Sequence, residues 1–265
     1  MRRMIDFDCE GNRLVGSLDE SDSTTGLLIV SGGNEIRSGA YAGQAAMAQH
    51  FASKAHPVFR YDRRGVGDSE GENGGFESSA DDIAAAVTAF RNAAPHIERL
   101  VAFGNCDAAT ALAYFHAGLA IDALVLANPW VIETVGDAEP TSPPAAAIRA
   151  RYLARLKNPR SVIDLLTGKI DLKKLATGVA KAAQKEAPSG IAVRLADALS
   201  GASVPIHILI AERDTTALAF LAVHSNWGAM SGVRLHKVDT ASHSFADTAS
   251  RGWLYRQIQD AIDQT

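Results

Sequence analysis

Six short runs of the chain are apolar at nearly every position or at every second one: residues 27–30, 57–61, 100–103, 123–127, 206–211 and 233–238. Each has the length of a strand, and four are apolar almost throughout, the pattern of strands covered on both faces in a parallel sheet. Between them, residues 40–54, 79–93, 108–119 and 253–263 carry helical patterns. This alternation predicts a doubly wound α/β sheet. Ahead of it, residues 4–18 predict an antiparallel pair turning at Glu10-Gly11-Asn12. From Val131 to about Ser203 the alternation stops. Helical stretches follow one another there, punctuated by Pro140, Pro143, Pro144, Pro159, Gly168 and Pro188. The expected organisation is an α/β core of residues 1–130 and 204–265 with an inserted helical cap at 131–203.

Composition narrows the function classes. With 47% apolar and 21% charged residues, the chain of 265 residues has material for a sizeable core and does not have the composition of a disordered or fibrous protein. No apolar run approaches the roughly 20 residues of a membrane span. The acidic residues Asp6, Asp8 and Glu10 follow Met1-Arg2-Arg3 where a secretory signal would need an apolar stretch, so a cytoplasmic location is expected. Two cysteines, Cys9 and Cys106, suit neither a disulfide scaffold nor a zinc site. The net charge of −4 provides no general field for nucleic acid. It is unevenly spread, since ten basic and only three acidic residues fall between Pro144 and Glu186. That run reads as solvated helix faces, or as a surface attracting an anionic substrate.

The chemistry starts where the 100–103 strand enters Gly104-Asn105-Cys106-Asp107-Ala108 and then a helix. A sharp strand-to-helix turn with small residues two before and two after the central position is a nucleophile elbow, which lifts the reactive atom above the sheet. Here that atom is the sulfur of Cys106, and the helix N-terminal amides beside it favour a thiolate. Asp214 follows the 206–211 strand, at the strand end where open α/β sheets place their sites, and His243 follows the 233–238 strand. Nucleophile, acid and base thus occur in that order, with Glu133 and Asp239 as alternative acids. The loop Ser31-Gly32-Gly33-Asn34 is flexible enough to aim an amide at a developing oxyanion. The expected donors are the Gly33 or Asn34 amide together with that of Asp107. Arg37, beside this loop, is a weak prospect for a substrate carboxylate. The segment from Asp62 to Gly71 suits a tight structural loop and lacks a nucleophile.

Together these residues resemble the α/β-hydrolase superfamily, whose members commonly carry a segment like Asp62 to Gly71 after the fourth strand. The sequence is further similar to the first type of exosortase A system-associated hydrolase. That likeness rests on Ser31-Gly-Gly-Asn-Glu-Ile-Arg-Ser-Gly39, on Phe59-Arg-Tyr-Asp-Arg-Arg-Gly-Val-Gly-Asp-Ser-Glu-Gly71, on Gly104-Asn-Cys-Asp-Ala-Ala109 and on residues 153–172 of the cap. The resemblance implies an α/β-hydrolase fold with a cap, and hydrolase chemistry without naming a substrate. Dienelactone hydrolases, similar in having a Cys, Asp, His triad, carry glycine where this chain has Ala108.

The expected activity is cleavage of a carboxylic ester or thioester through Cys106, His243 and Asp214, with no metal or organic cofactor. Transfer of the acyl group to a glycan or peptide acceptor is the nearest alternative. A ligand-binding module of low turnover is the next. The implied partner is a small-molecule or carrier-linked acyl substrate, and the sequence leaves a homodimer open.

Overall fold

Strands β1 (Arg2–Cys9), β2 (Asn12–Asp19), β3 (Thr25–Val30), β4 (Val58–Tyr61), β5 (Arg99–Asn105), β6 (Ala123–Ala127), β7 (Ile206–Ala211) and β8 (Val233–Val238) form one sheet in the order β1-β2-β4-β3-β5-β6-β7-β8. The pairs β1–β2 and β2–β4 are antiparallel, and every other neighbouring pair is parallel. The β1–β2 turn falls at the expected place, with Glu10 and Gly11 both left-handed at φ 53° and 75°, as a two-residue hairpin turn requires. The computed structural model describes residues 1–133 and 189–265. Most of the expected cap, with its basic run, therefore lies outside the described residues.

The described helices are α1 (Gly43–Ala52), α2 (Ala80–Ala93), α3 (Asp107–Phe115), α4 (Gly190–Ser200), α5 (Thr215–His224) and α6 (Thr248–Asp263). Side chains alternate along the parallel strands. Leu28, Leu100, Leu124 and Ile208 enter a core with Phe90 of α2, Leu112 of α3, Leu195 of α4 and Phe220 of α5. Their neighbours Ile29, Val101, Val125 and Leu209 enter a second core with Phe51 of α1 and Ile258 of α6. Both faces are thus dry, which is why these strands are apolar at every position rather than at every second one. Truncating one such leucine to alanine costs about 2–5 kcal/mol, because little around it can collapse into the space.

Within the expected cap, α4 packs on the core. Ala192, Leu195 and Leu199 are buried, the Tyr114 hydroxyl of α3 donates to the Ile191 carbonyl at 2.8 Å, and the Ser189 hydroxyl donates to the Val131 carbonyl at 2.7 Å. Ser189 also caps the helix, accepting from the Ala192 N–H at 3.0 Å. The parallel direction of β3, β5, β7 and β8 brings the loops that begin at Ser31, Cys106, Glu212 and Asp239 to one edge of the sheet.

Candidate active site

Cys106 joins β5 to α3 with φ 62° and ψ −127°, a backbone state that costs a residue with a Cβ about 1–3 kcal/mol and persists only where its surroundings enforce it. The enforcement is visible. The Cys106 N–H donates to the Ala127 carbonyl at the end of β6 at 2.9 Å, and its carbonyl accepts from the Trp130 N–H at 3.2 Å. Gly104 is obligatory here, since a Cβ on it would lie 2.8 Å from the Ala108 carbonyl carbon. Ala108 itself is buried at 1% exposure, so the methyl of this less usual elbow residue is accommodated in the core. The thiol of Cys106 is half-buried.

Asp214 caps α5, accepting from the Ala217 N–H at 3.0 Å, and the same oxygen, Oδ2, lies 3.0 Å from His243 Nδ1. That bond orients the ring and leaves Nε2 for another partner, and Cys106 is near enough for its charge to act on the imidazole. Burial alone pushes the imidazolium of His243 down. Hydrogen bonds to Asp214 and Cys106, with the charges of both, outweigh burial and raise its pKa to about 10. The alternative acids are otherwise engaged: Glu133 accepts from the Gly190 N–H, and Asp239 pairs with Arg213 at 2.7 Å.

The hydrogen bonds bear on two of the expected binding groups. The Gly33 N–H is already used, donating to the Asp107 side-chain Oδ1 at 2.7 Å, while the Gly33 carbonyl accepts from the buried Arg63 guanidinium. The Asn34 amide is therefore the loop donor left without an acceptor among the described residues. Asp107 opens α3, so its own N–H has no partner within the helix. Arg37 is likewise spoken for. Its guanidinium pairs with the fully buried Asp62 and with Asp68 at 2.8 Å, and its side chain is only 16% exposed. Its work is to neutralise a buried carboxylate, not to await a substrate.

Two concavities are formed by described residues near the loops at this sheet edge. One of about 300 Å³ is walled by Phe76, Trp130 and Ile191 with Glu77, Glu133 and Arg194. The other, of about 120 Å³, lies on the opposite face of the sheet against Asn105, Phe103 and Ser244. Among the described residues no group of three or more His, Cys, Asp or Glu side chains could hold a metal ion. No described helix is long and apolar enough to cross a membrane. Sequence patterns mark neither the Asp107 side chain nor Asn128. The latter is fully buried just beyond β6 and bonded to the His243 backbone.

Similar solved structures support the same architecture. An esterase of Pyrococcus furiosus superposes with a TM-score of 0.64 at 13% identity, over 100% of this chain and 90% of its own. Est1E of Butyrivibrio proteoclasticus, solved with ferulic acid bound, gives 0.61 at 16% identity over 98% and 99% of the two chains. Proline iminopeptidase of Mycobacterium smegmatis gives 0.62 at 13% identity over 98% and 99%. At these identities the likeness concerns the fold. No curated protein matches the chain. Residues 22–217 match the family described as serine aminopeptidase, S33, and with an eight-stranded sheet of this order the chain belongs to that family of α/β-hydrolases.

Proposed function

We propose that the protein is an acyl hydrolase that cleaves a carboxylic ester or thioester through a Cys106–His243–Asp214 triad. The observation that carries this reading is the contact between His243 Nδ1 and Asp214 Oδ2 at 3.0 Å, with Cys106 near enough to act on the same imidazole. The likeness of Ser31–Gly39, Phe59–Gly71 and Gly104–Ala109 to exosortase A system-associated hydrolases of the first type belongs to the same reading.

His243 takes the Cys106 proton or already holds it as an ion pair, and the sulfur attacks the acyl carbon to give a tetrahedral oxyanion. The Asn34 and Asp107 amides receive that charge, each contribution being on the order of 3–4 kcal/mol of transition-state stabilisation. Asp214 orients the ring and stabilises the imidazolium. His243 then returns the proton to the departing alkoxide or thiolate, the carbon–heteroatom bond breaks, and an acyl-cysteine remains. Water gives a proton to His243 as its oxygen attacks the acyl carbon. Collapse releases the carboxylic acid and the thiolate of Cys106, and His243 re-protonates or pairs with it.

The test is hydrolysis of p-nitrophenyl acetate and of a short acyl-thioester. Cys106→Ala should lower turnover at least about a thousandfold with thermal unfolding little changed. Intact mass should detect an acyl adduct on the wild type that Cys106→Ala lacks. Retained turnover in Cys106→Ala would overturn the assignment.

A further inference from the structure

His243 does not reach Cys106 by regular sheet pairing. It follows β8 at the sheet edge, whereas Cys106 tops β5, and β7 and β6 lie between them. Three strand spacings amount to roughly 14 Å. Something must hold the loop across that gap, and two side chains do so. Asn105 Nδ2 donates to the His243 carbonyl at 3.2 Å, and Asn128 Nδ2 donates to the same carbonyl at 3.0 Å. Asn128 Nδ2 also donates to Asn105 Oδ1 at 3.2 Å, so the two amides are tied to each other. The oxygen of Asn128 accepts from the Ala211 N–H at 2.9 Å. Only an oxygen can accept from an amide N–H, so the orientation of the Asn128 side chain is fixed and its nitrogen must face the His243 carbonyl.

We propose that Asn105 and Asn128 are positioning residues that staple the His243 loop to the nucleophile elbow, an inference that rests on the triad reading above. Asn105 immediately precedes Cys106 and ends β5, Asn128 follows β6, and Ala211 ends β7, three residues before Asp214. One pair of amides thus joins the ends of β5, β6 and β7 to the His243 loop that follows β8. The His243 carbonyl has two lone pairs and both are taken, so the backbone under the imidazole is fixed from below while Asp214 fixes the ring itself. Asn128 is also suited to its site by backbone, since it is left-handed at φ 42°, a state asparagine tolerates better than most residues.

Asn105→Ala and Asn128→Asp test this. The aspartate keeps an oxygen for the Ala211 N–H but loses the donor to His243, which separates positioning from packing. Both variants should lower kcat for p-nitrophenyl acetate by roughly 10–100-fold with KM changed far less, since an angstrom of misplacement at a catalytic group has effects of that size. Both should also slow iodoacetamide labelling of Cys106 at neutral pH towards the rate of His243→Ala. In the double variant the losses should fall well short of multiplying, because the two amides act on one carbonyl. If Asn128→Asp unfolds, Asn105→Ala alone decides. Unchanged kcat and labelling in a folded Asn105→Ala, with His243→Ala still severely impaired, would refute the staple and leave the triad intact. Labelling and turnover unmoved by His243→Ala would remove the triad reading itself.

Discussion

The chain has two cysteines, and the fold sets them in contrasting surroundings. Cys9 ends β1 at 3% exposure, and its thiol donates to Asp82 Oδ1 at 3.3 Å. Burial and then the Asp82 carboxylate push its pKa up to about 12. An adjacent anion accepts the S–H and penalises the thiolate, so Cys9 behaves as a small core residue. Cys106 stands at the bend between β5 and α3, half-buried, with an imidazole rather than a carboxylate nearby. A base backed by an acid can take the proton and keep it nearby as a cation. Reactivity is therefore read from the partner's capacity to hold positive charge rather than from the presence of sulfur.

The contrast breaks most severely if the acid behind the base is altered. Asp214→Asn should lower kcat by about a thousandfold or more, since a neutral amide no longer stabilises the positive charge that the imidazole gains. An asparagine still offers an oxygen to the Ala217 N–H and so keeps α5 capped, and circular dichroism should show the fold retained. Near wild-type turnover would mean that the His243–Asp214 contact is structural. Next in size, iodoacetamide at neutral pH should label Cys106 at least about a hundredfold faster than Cys9, because a thiol with a pKa near 12 presents almost no thiolate there. Peptide mapping gives both rates in one experiment, and similar slow rates would erase the distinction. Smaller again, Cys9→Ala should leave kcat within about twofold and cost about 1–2 kcal/mol in urea unfolding, from a lost buried hydrogen bond and a small void.

Most of the frame was legible because burial on both faces of a strand leaves a run that nothing else leaves. That Cys106, Asp214 and His243 stand just beyond the ends of β5, β7 and β8 was legible because the apolar runs mark where each strand stops. What escaped depends on partners distant in the chain or on a missing period. Helix α5 spans Thr215-Thr-Ala-Leu-Ala-Phe-Leu-Ala-Val-His224, small and apolar around most of its circumference, so no amphipathic stripe announces it. Arg37 finds its carboxylates 25 and 31 residues away, and the Asn128 nitrogen finds its carbonyl 115 residues away. The Gly33 amide was an open donor on paper. It meets Asp107 only because the elbow and the β3 loop converge at one sheet edge.

The smallest expected effect concerns the charge on the base. The pKa of His243 is raised from 6.5 to about 10 in the folded protein, so the native state binds its proton more tightly than the unfolded chain does. Below pH 6.5 both states carry that proton, and the imidazolium's contacts with Asp214 and Cys106 contribute fully to stability. Between 6.5 and about 10 the unfolded chain has lost the proton while the native state keeps it, and the contribution declines with rising pH. Above that range it is gone. The difference in Tm between the wild type and His243→Ala should therefore be largest on the acidic side of this window and shrink steadily across it. With 38% of the ring exposed, water screens the pair and the change should amount to a few degrees at most. A difference that instead widened with pH would mean that His243 is held neutral, and that its proton is not shared with Cys106.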